Sequence, residues 1–390
     1  MNIGFSACVL QGGRTGVASY VVNLLHSLQE TDAVNTYDVI LPASDASLIR
    51  DGFPRFRKHV LSNALGRPVP NILWHNLALP GRSQREHYDL VHIPSYRRLP
   101  VLKGTRVVAT VHDLATLHLD GKYDAARMFY NRRIVPTQIR RADHVITVSR
   151  FTAGDLVNLI GYPAEKITVI YPGIHRQHYR PVAGGEARMR LRERYKLEGP
   201  FVVFVSRVEH PAKNHLSLIQ AFERMKARKP SDLKLVLAGA DWNGADMVKD
   251  YAARSPVARD VVFTGFVPLE DIPCFYSACE VMAYPSLFEG FGFPIVEAMA
   301  CGAPVICSNT TSMKEIAADL APTFDPLNVD AIAGALEGAL QRRKDAGLAA
   351  RGIAYAATFD WRETARKVVE VYRRVAGGQL MPPGCPDVTS

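Results

Sequence analysis

"FVVFVS" at residues 201–206, an amphipathic stretch from Asn214 to Ala227 and "KLVLAG" at residues 234–239 read as one strand–helix–strand unit. A strand covered on both faces reads as a nearly unbroken apolar run, because neither side of its pleat meets water. "VVFTG" (261–265), "VMAYP" (281–285) and "PVICS" (304–308) continue the series, with helical patterns between them. That alternation predicts a parallel sheet with helices on both faces. The N-terminal half repeats it with "MNIGFSACV", "TYDVILP", "DLVHI", "RVVATVHD", "DHVITVS" and "KITVIYPG". The expected fold class is therefore α/β, with two doubly wound domains.

A chain of 390 residues with 47% hydrophobic content is long and apolar enough for two cores. The N-terminal domain is expected over residues 1–175, ending just past "YPGI" (171–174). A polar linker over 176–200 follows, carrying Pro181, Gly184 and Gly185. The C-terminal domain should span 201–359. A strongly patterned helix is expected over 360–377, and 378–390 reads as a frayed tail. In this architecture ligands bind at the carboxyl ends of the strands, here in a cleft between the two sheets.

Cys8, Cys274, Cys279, Cys301, Cys307 and Cys385 show no C-x-x-C spacing and lie mostly in apolar runs. They are expected to be reduced, buried thiols, which fits a reducing cytosol and argues against zinc or a disulfide framework. "MNIGFSACVL" is at once a strand and not a basic leader, so secretion is not expected. Phe291 to Cys307, the longest apolar stretch, is broken by Gly292, Pro294, Glu297, Gly302 and Pro304 and is read as loop, helix and strand. Residues 1–180 hold 22 Lys and Arg against 13 Asp and Glu, which accounts for the whole net charge of +9. Such an excess suits an anionic partner, whether a membrane surface, nucleic acid or a phosphorylated substrate, or else is a solvated basic face.

Four segments carry candidate chemistry. In "FEGFGFPIVEAMACGAP" (288–304), Pro294 suits the first position of a short helix and Gly302 the position just past its end. Glu289 then stands at a strand-to-helix corner and Glu297 in the first helical turn. Carboxylates there can accept protons from hydroxyl-rich groups such as ribose or hexose, or can simply cap the helix. In "SRVEHPAKNH" (206–215), Arg207 and Lys213 offer a planar fork and a point charge, a pair suited to gripping a diphosphate and stabilising its departure; as isolated surface cations they would do neither. "LQGGRTGVASYVVNLL" (10–25) is a glycine-rich turn into a helix without the G-x-G-x-x-G or Walker pattern, so Gly12 and Gly13 mark either a close backbone approach to a ligand or a tight connection. "TVHDLATLH" (110–118) ends a strand on His112 and Asp113, which could orient a sugar hydroxyl or be ordinary polar groups at a strand end. No D-x-D occurs, so the usual carboxylate clamp for a nucleotide-bound divalent ion is missing.

The stretch "YPSLFEGFGFPIVEAMACGAPVICSN" resembles the E-x7-E segment of the retaining glycosyltransferases of the GT4 family, which have the GT-B fold. The resemblance extends to "GGRTGVASY", "TVHDL", "ADHVITVSRFTAGDL", "KITVIYPGI", "SRVEHPAKNH" and "FDWRETARKVVEVYRRV". It implies two Rossmann-like domains with a cleft between them and a final helix crossing back to the N-terminal domain, which is the acceptor-binding one. Glu297 would accept the ribose hydroxyls of a nucleotide sugar and Glu289 a hydroxyl of the transferred sugar, helped by the backbone of Gly290, Phe291, Gly292 and Phe293. Arg207 and Lys213 would hold the diphosphate, Gly12 and Gly13 would lie beside it, and His112 would approach the donor sugar. One departure from the common pattern is the insertion of Glu209, His210 and Pro211 between the two cations.

The resulting expectation is a metal-independent hexosyltransferase without cofactor, passing a sugar from a nucleotide diphosphate sugar to a glycan or lipid-linked acceptor during polysaccharide or glycolipid assembly. GDP-mannose is the favoured donor, on overall similarity to bacterial mannosyltransferases, and UDP-sugars stay open because no named residue reads the base. A nucleotide-sugar epimerase and a non-catalytic sugar-nucleotide binding subunit are the alternatives. Arg97, Arg98, Arg132 and Arg133 are the candidate acceptor or membrane face, which would place the protein in the cytoplasm or at the anionic cytoplasmic face of the inner membrane, with no nucleic acid as partner.

Overall fold

The computed structural model describes residues 1–13, 15–118, 125–342 and 345–377. Cys385 and the segment 378–390 lie outside them. The chain divides into two units, one formed by Met1–Gly173 together with the segment from Asp360 onward, the other by Ile174–Phe359.

The first unit holds seven parallel strands: β1 (Asn2–Ser6), β2 (Thr36–Pro42), β3 (Phe56–Leu61), β4 (Leu90–Ile93), β5 (Arg106–Val111), β6 (His144–Thr147) and β7 (Ile167–Val169). Their order in the sheet is β3-β2-β1-β4-β5-β6-β7. The sheet is buried because its strands are apolar on both sides: Ile3, Phe5, Val39, Ile40, Val91, Val108 and Val145 are all inaccessible to solvent. β3, "FRKHVL", is absent from the strands expected from sequence. It is an edge strand with Arg57 and Lys58 on it, so it lacks the apolar run that marks the central strands.

The second unit holds six parallel strands: β8 (Phe201–Val205), β9 (Lys234–Ala238), β10 (Val261–Gly265), β11 (Val281–Tyr284), β12 (Val305–Ser308) and β13 (Thr323–Phe324). Their order is β10-β9-β8-β11-β12-β13. The central pair is β8 and β11, with Val202 opposite Val281 and Val203 opposite Met282. The sheet order reverses between them, so the loops leaving β8 and β11 emerge side by side, where open α/β sheets place their ligands.

Residues 176–200, expected to be a linker, are corrected by the structure. They include a helix over Gly184–Tyr195 that belongs to the second unit, buries Ala187 and Leu191, and ties Arg190 and Arg194 to Asp271 at 2.8 Å each. Its charge on nearly every other position hides the two apolar residues one turn apart. The last helix, Trp361–Ala376, is capped by the Asp360 carboxylate, which accepts from the Arg362 N–H at 2.7 Å. It packs within the first unit: the Tyr372 hydroxyl meets His92 Nδ1 at 2.6 Å, and the Thr364 hydroxyl donates to the Tyr171 carbonyl at 2.8 Å.

Candidate functional site

β8 hands the chain to the loop 206–214, and β11 to the loop 285–292. The two loops are fastened to one another by the Leu287 N–H, which donates to the Ala212 carbonyl at 2.9 Å. This brings together side chains 76 residues apart: the Lys213 ammonium lies 2.6 Å from Glu289 Oε1. The Tyr284 hydroxyl, on the last residue of β11, donates to the same oxygen at 2.8 Å. The backbone of Glu289 is held as firmly, its N–H by Thr311 Oγ1 at 3.2 Å and its carbonyl by the Ser312 hydroxyl at 2.9 Å. Two of the four principal sequence candidates therefore form a contact pair on a fixed corner, each side chain less than a fifth exposed.

Arg207 leaves β8 in a different direction. Its guanidinium stands 4.6 Å over the Trp242 ring and 3.2 Å from the Glu209 carboxylate, and half of its side chain is exposed. Loop 206–214 is pinned beneath it by the Val208 N–H to the Ala240 carbonyl at 2.9 Å and the His210 N–H to the Asn243 carbonyl at 3.0 Å. Within the insertion of Glu209, His210 and Pro211, His210 thus helps to anchor the loop to the segment after β9, while Glu209 pairs with Arg207.

The helix after the second corner runs over Phe293–Ala300, one residue earlier than expected from Pro294. Gly292, at φ 94°, takes the left-handed conformation that lets the chain enter the helix, and this makes Phe293 the first helical residue. Glu297 consequently sits in the second turn and not the first. It is half-buried, with the hydroxyls of Tyr179 and Tyr276 facing it. Burial pushes its carboxyl up to about 7, and the two hydroxyls only partly oppose the rise. Gly290 and Gly292 carry the turn, while the Phe291 ring, 4% exposed, packs edge-on against Phe293 at 5.0 Å.

In the first unit, His112 follows β5 and its Nε2 donates to the Pro94 carbonyl at 3.1 Å, with its ring edge-on to Tyr20 at 4.8 Å. Burial lowers its pKa to about 4, so the imidazole is neutral at physiological pH. The Gly12 N–H donates to the Asp45 carboxylate at 2.9 Å and the Gly13 N–H to the Leu10 carbonyl at 2.8 Å. Both amides are thus engaged inside the unit.

The candidate basic face is also narrower than expected. Arg98 is turned inward, its guanidinium donating to the Cys8 carbonyl at 2.9 Å, and burial lowers its pKa. Arg97 lies along the Tyr96 ring at 5.4 Å and is half-buried. Arg132 and Arg133 are exposed, although Arg132 Nε also donates to the Thr116 carbonyl at 2.9 Å. Among the described residues no group of three or more His, Cys, Asp or Glu side chains is placed to share a metal ion.

Sequence reasoning missed the three tyrosines. Tyr284 lies inside the quoted E-x7-E stretch but reads only as a strand residue, and its place five residues before Glu289 at a strand end was the available signal. Tyr179 and Tyr276 reach Glu297 from distant segments and leave no local trace.

Comparison with known proteins matches the family model for glycosyl transferases group 1 to residues 188–357 and that for glycosyltransferase family 4 to residues 14–178. The O-antigen chain mannosyltransferase B of Escherichia coli is 30% identical over 270 residues, covering 69% of this chain and 70% of that protein. The serotype-specific mannosyltransferase WbdA of Escherichia coli is 27% identical over 276 residues, and the match spans only 34% of its length. Among solved structures, Anabaena HepE in complex with UDP and glucose superposes with a TM-score of 0.74 at 22% identity, over 96% of this chain and 99% of that one, which is a likeness of fold.

Proposed function

As this chain belongs to the glycosyltransferases of family 4 and group 1 and has their GT-B fold, we propose that it is a retaining, metal-independent hexosyltransferase acting from a nucleotide sugar. The observation that carries the reading is the Lys213–Glu289 pair at the reversal of the second sheet, where a cation for a diphosphate and an acceptor for sugar hydroxyls share one corner. Glu297 accepts the ribose hydroxyls and Glu289 a hydroxyl of the hexose. Lys213 and Arg207 balance the charge that develops on the departing diphosphate. The bond from the anomeric carbon to the phosphate oxygen breaks with its electron pair going to phosphate. The acceptor oxygen bonds the same face of that carbon, and its proton passes to the departing phosphate oxygen. Glu289 is less suited to be a covalent nucleophile, because Lys213 and Tyr284 already hold its Oε1.

GDP-mannose is the proposed donor, supported by the two relatives named mannosyltransferases, and a glycan or lipid-linked sugar is the proposed acceptor. No helix among the described residues is long and apolar enough to cross a membrane. The proposed place of work is the cytoplasmic face of an anionic membrane, met through Arg132 and Arg133. The test is a screen of GDP-mannose, UDP-glucose and other nucleotide sugars by thermal shift and nucleoside diphosphate release, in excess chelator. A stabilising donor that is consumed under chelator supports the reading. No binding by any nucleotide sugar overturns it, and turnover that returns only with magnesium or manganese overturns metal independence.

A further inference from the structure

Glu289 receives two donors on one oxygen. Lys213 Nζ at 2.6 Å and the Tyr284 hydroxyl at 2.8 Å both go to Oε1, and among the described residues nothing donates to Oε2. Tyr284 is 2% exposed, its ring set edge-on against Phe204 at 5.6 Å and beneath the Lys213 ammonium at 5.9 Å, so the phenol cannot swing away. Thr311 and Ser312 hold the backbone of the same glutamate. We infer that Tyr284 is a positioning residue for glycosyl transfer, fixing Glu289 through Oε1 so that Oε2 is the atom presented to the hydroxyl of the transferred sugar.

The two donors differ in what they are free to do. Lys213 carries its charge on a long, rotatable side chain that the diphosphate will compete for, since phosphate oxygens carry more charge than one carboxylate. Tyr284 is a rigid phenol on the central strand of the sheet, and burial keeps it protonated, its pKa well above 10, so that it remains a donor throughout the physiological range. When Lys213 turns to the diphosphate, the Tyr284 hydroxyl alone keeps the carboxylate from rotating. A hydroxyl there therefore matters to turnover and not to capture of the nucleotide.

The inference rests on the transferase reading above, and the experiment separates the two. Tyr284→Phe removes only the hydroxyl. The expected result is an unchanged dissociation constant for GDP by calorimetry and a kcat lower by about tenfold or more, the size of one hydrogen bond to a charged group. Glu289→Gln and the double variant complete a cycle: if Tyr284 acts through Glu289, the double variant is no slower than Glu289→Gln alone. Tyr284→Met, which also removes the hydroxyl, repeats the measurement in case the Phe variant is unstable. A kcat within twofold of the parent, or losses that simply multiply in the double variant, overturns the positioning role while leaving the transferase reading intact. A parent protein that releases no nucleoside diphosphate from any nucleotide sugar overturns both.

Discussion

A Cβ on Gly239 would stand 2.0 Å from the carbonyl oxygen of Ser206. Gly239 follows β9 and Ser206 follows β8, so the glycine is what allows the loop carrying Arg207 and Lys213 to lie flat against its neighbour. Gly239→Ala must push that loop aside. Overpacking of this kind costs about 1–3 kcal/mol, and we expect a lower denaturant midpoint with an unchanged m-value. GDP affinity should fall with it, although the residue carries no functional group.

Removing a cation tests the charge on the departing group. Lys213→Ala and Arg207→Ala should each raise the barrier by about 2.7–4 kcal/mol, by analogy with loss of one preorganised donor. Lys213 is far less exposed than Arg207 and so less screened by solvent, which should make its loss the more damaging of the two in turnover. Single-turnover rates measure this directly, and a change under about threefold in both would place them off the pathway.

Acid should act through histidines, with the opposite sign to Glu297. Burial lowers His75, His112 and His144 to about 4 and His92 and His215 to about 3, against an ordinary value of 6.5. Below pH 6.5 the unfolded chain binds these protons and the folded one does not, so stability falls as pH drops from 6.5 toward 4. Glu297 is raised from 4.5 to about 7, so the folded chain binds its proton first and stability from this group is lost as pH rises through that window. Glu297→Gln should therefore steepen the rise of stability with pH between about 4.5 and 7, where the two effects oppose one another in the parent, as read by denaturant midpoints from pH 4 to 8. If ionised Glu297 accepts the ribose hydroxyls, GDP affinity should rise between pH 6 and 8 in the parent and not in the variant.

The parallel sheets and the E-x7-E corner were legible because each depends on residues close in sequence: apolar runs for the central strands, and Gly292 and Pro294 for the helix start. Lys213 and Glu289 were both readable as candidates, yet only the order β8-β11 brings them into contact. What escaped depended on long-range packing. Tyr179 and Tyr276 around Glu297, the inward turn of Arg98 onto Cys8, and the use of the Gly12 amide by Asp45 are all set by neighbours far along the chain. The helix over Gly184–Tyr195 escaped for a local reason: two buried residues among many charges leave too faint a pattern.

The basic face can be tested by sedimentation with vesicles. Each cation near an anionic surface contributes on the order of 1 kcal/mol, and the attraction fades as the screening length shortens to about 3 Å at molar salt. Arg132 and Arg133 reversed to Glu should weaken binding to anionic vesicles at low salt, whereas Arg98→Glu should mainly destabilise the fold. Failure of the parent to bind anionic vesicles at low ionic strength would leave a soluble acceptor as the reading.

The central claim is that the two glutamates of one corner divide a nucleotide sugar between them, Glu297 on the nucleoside and Glu289 on the hexose. Calorimetric titration of GDP into the parent, Glu297→Ala and Glu289→Ala proteins, paired with GDP-mannose turnover, measures that division. The account predicts that Glu297→Ala loses GDP affinity, while Glu289→Ala binds GDP as the parent does and still turns over poorly. Equal losses of GDP affinity in the two variants, or full turnover by Glu289→Ala, would contradict it.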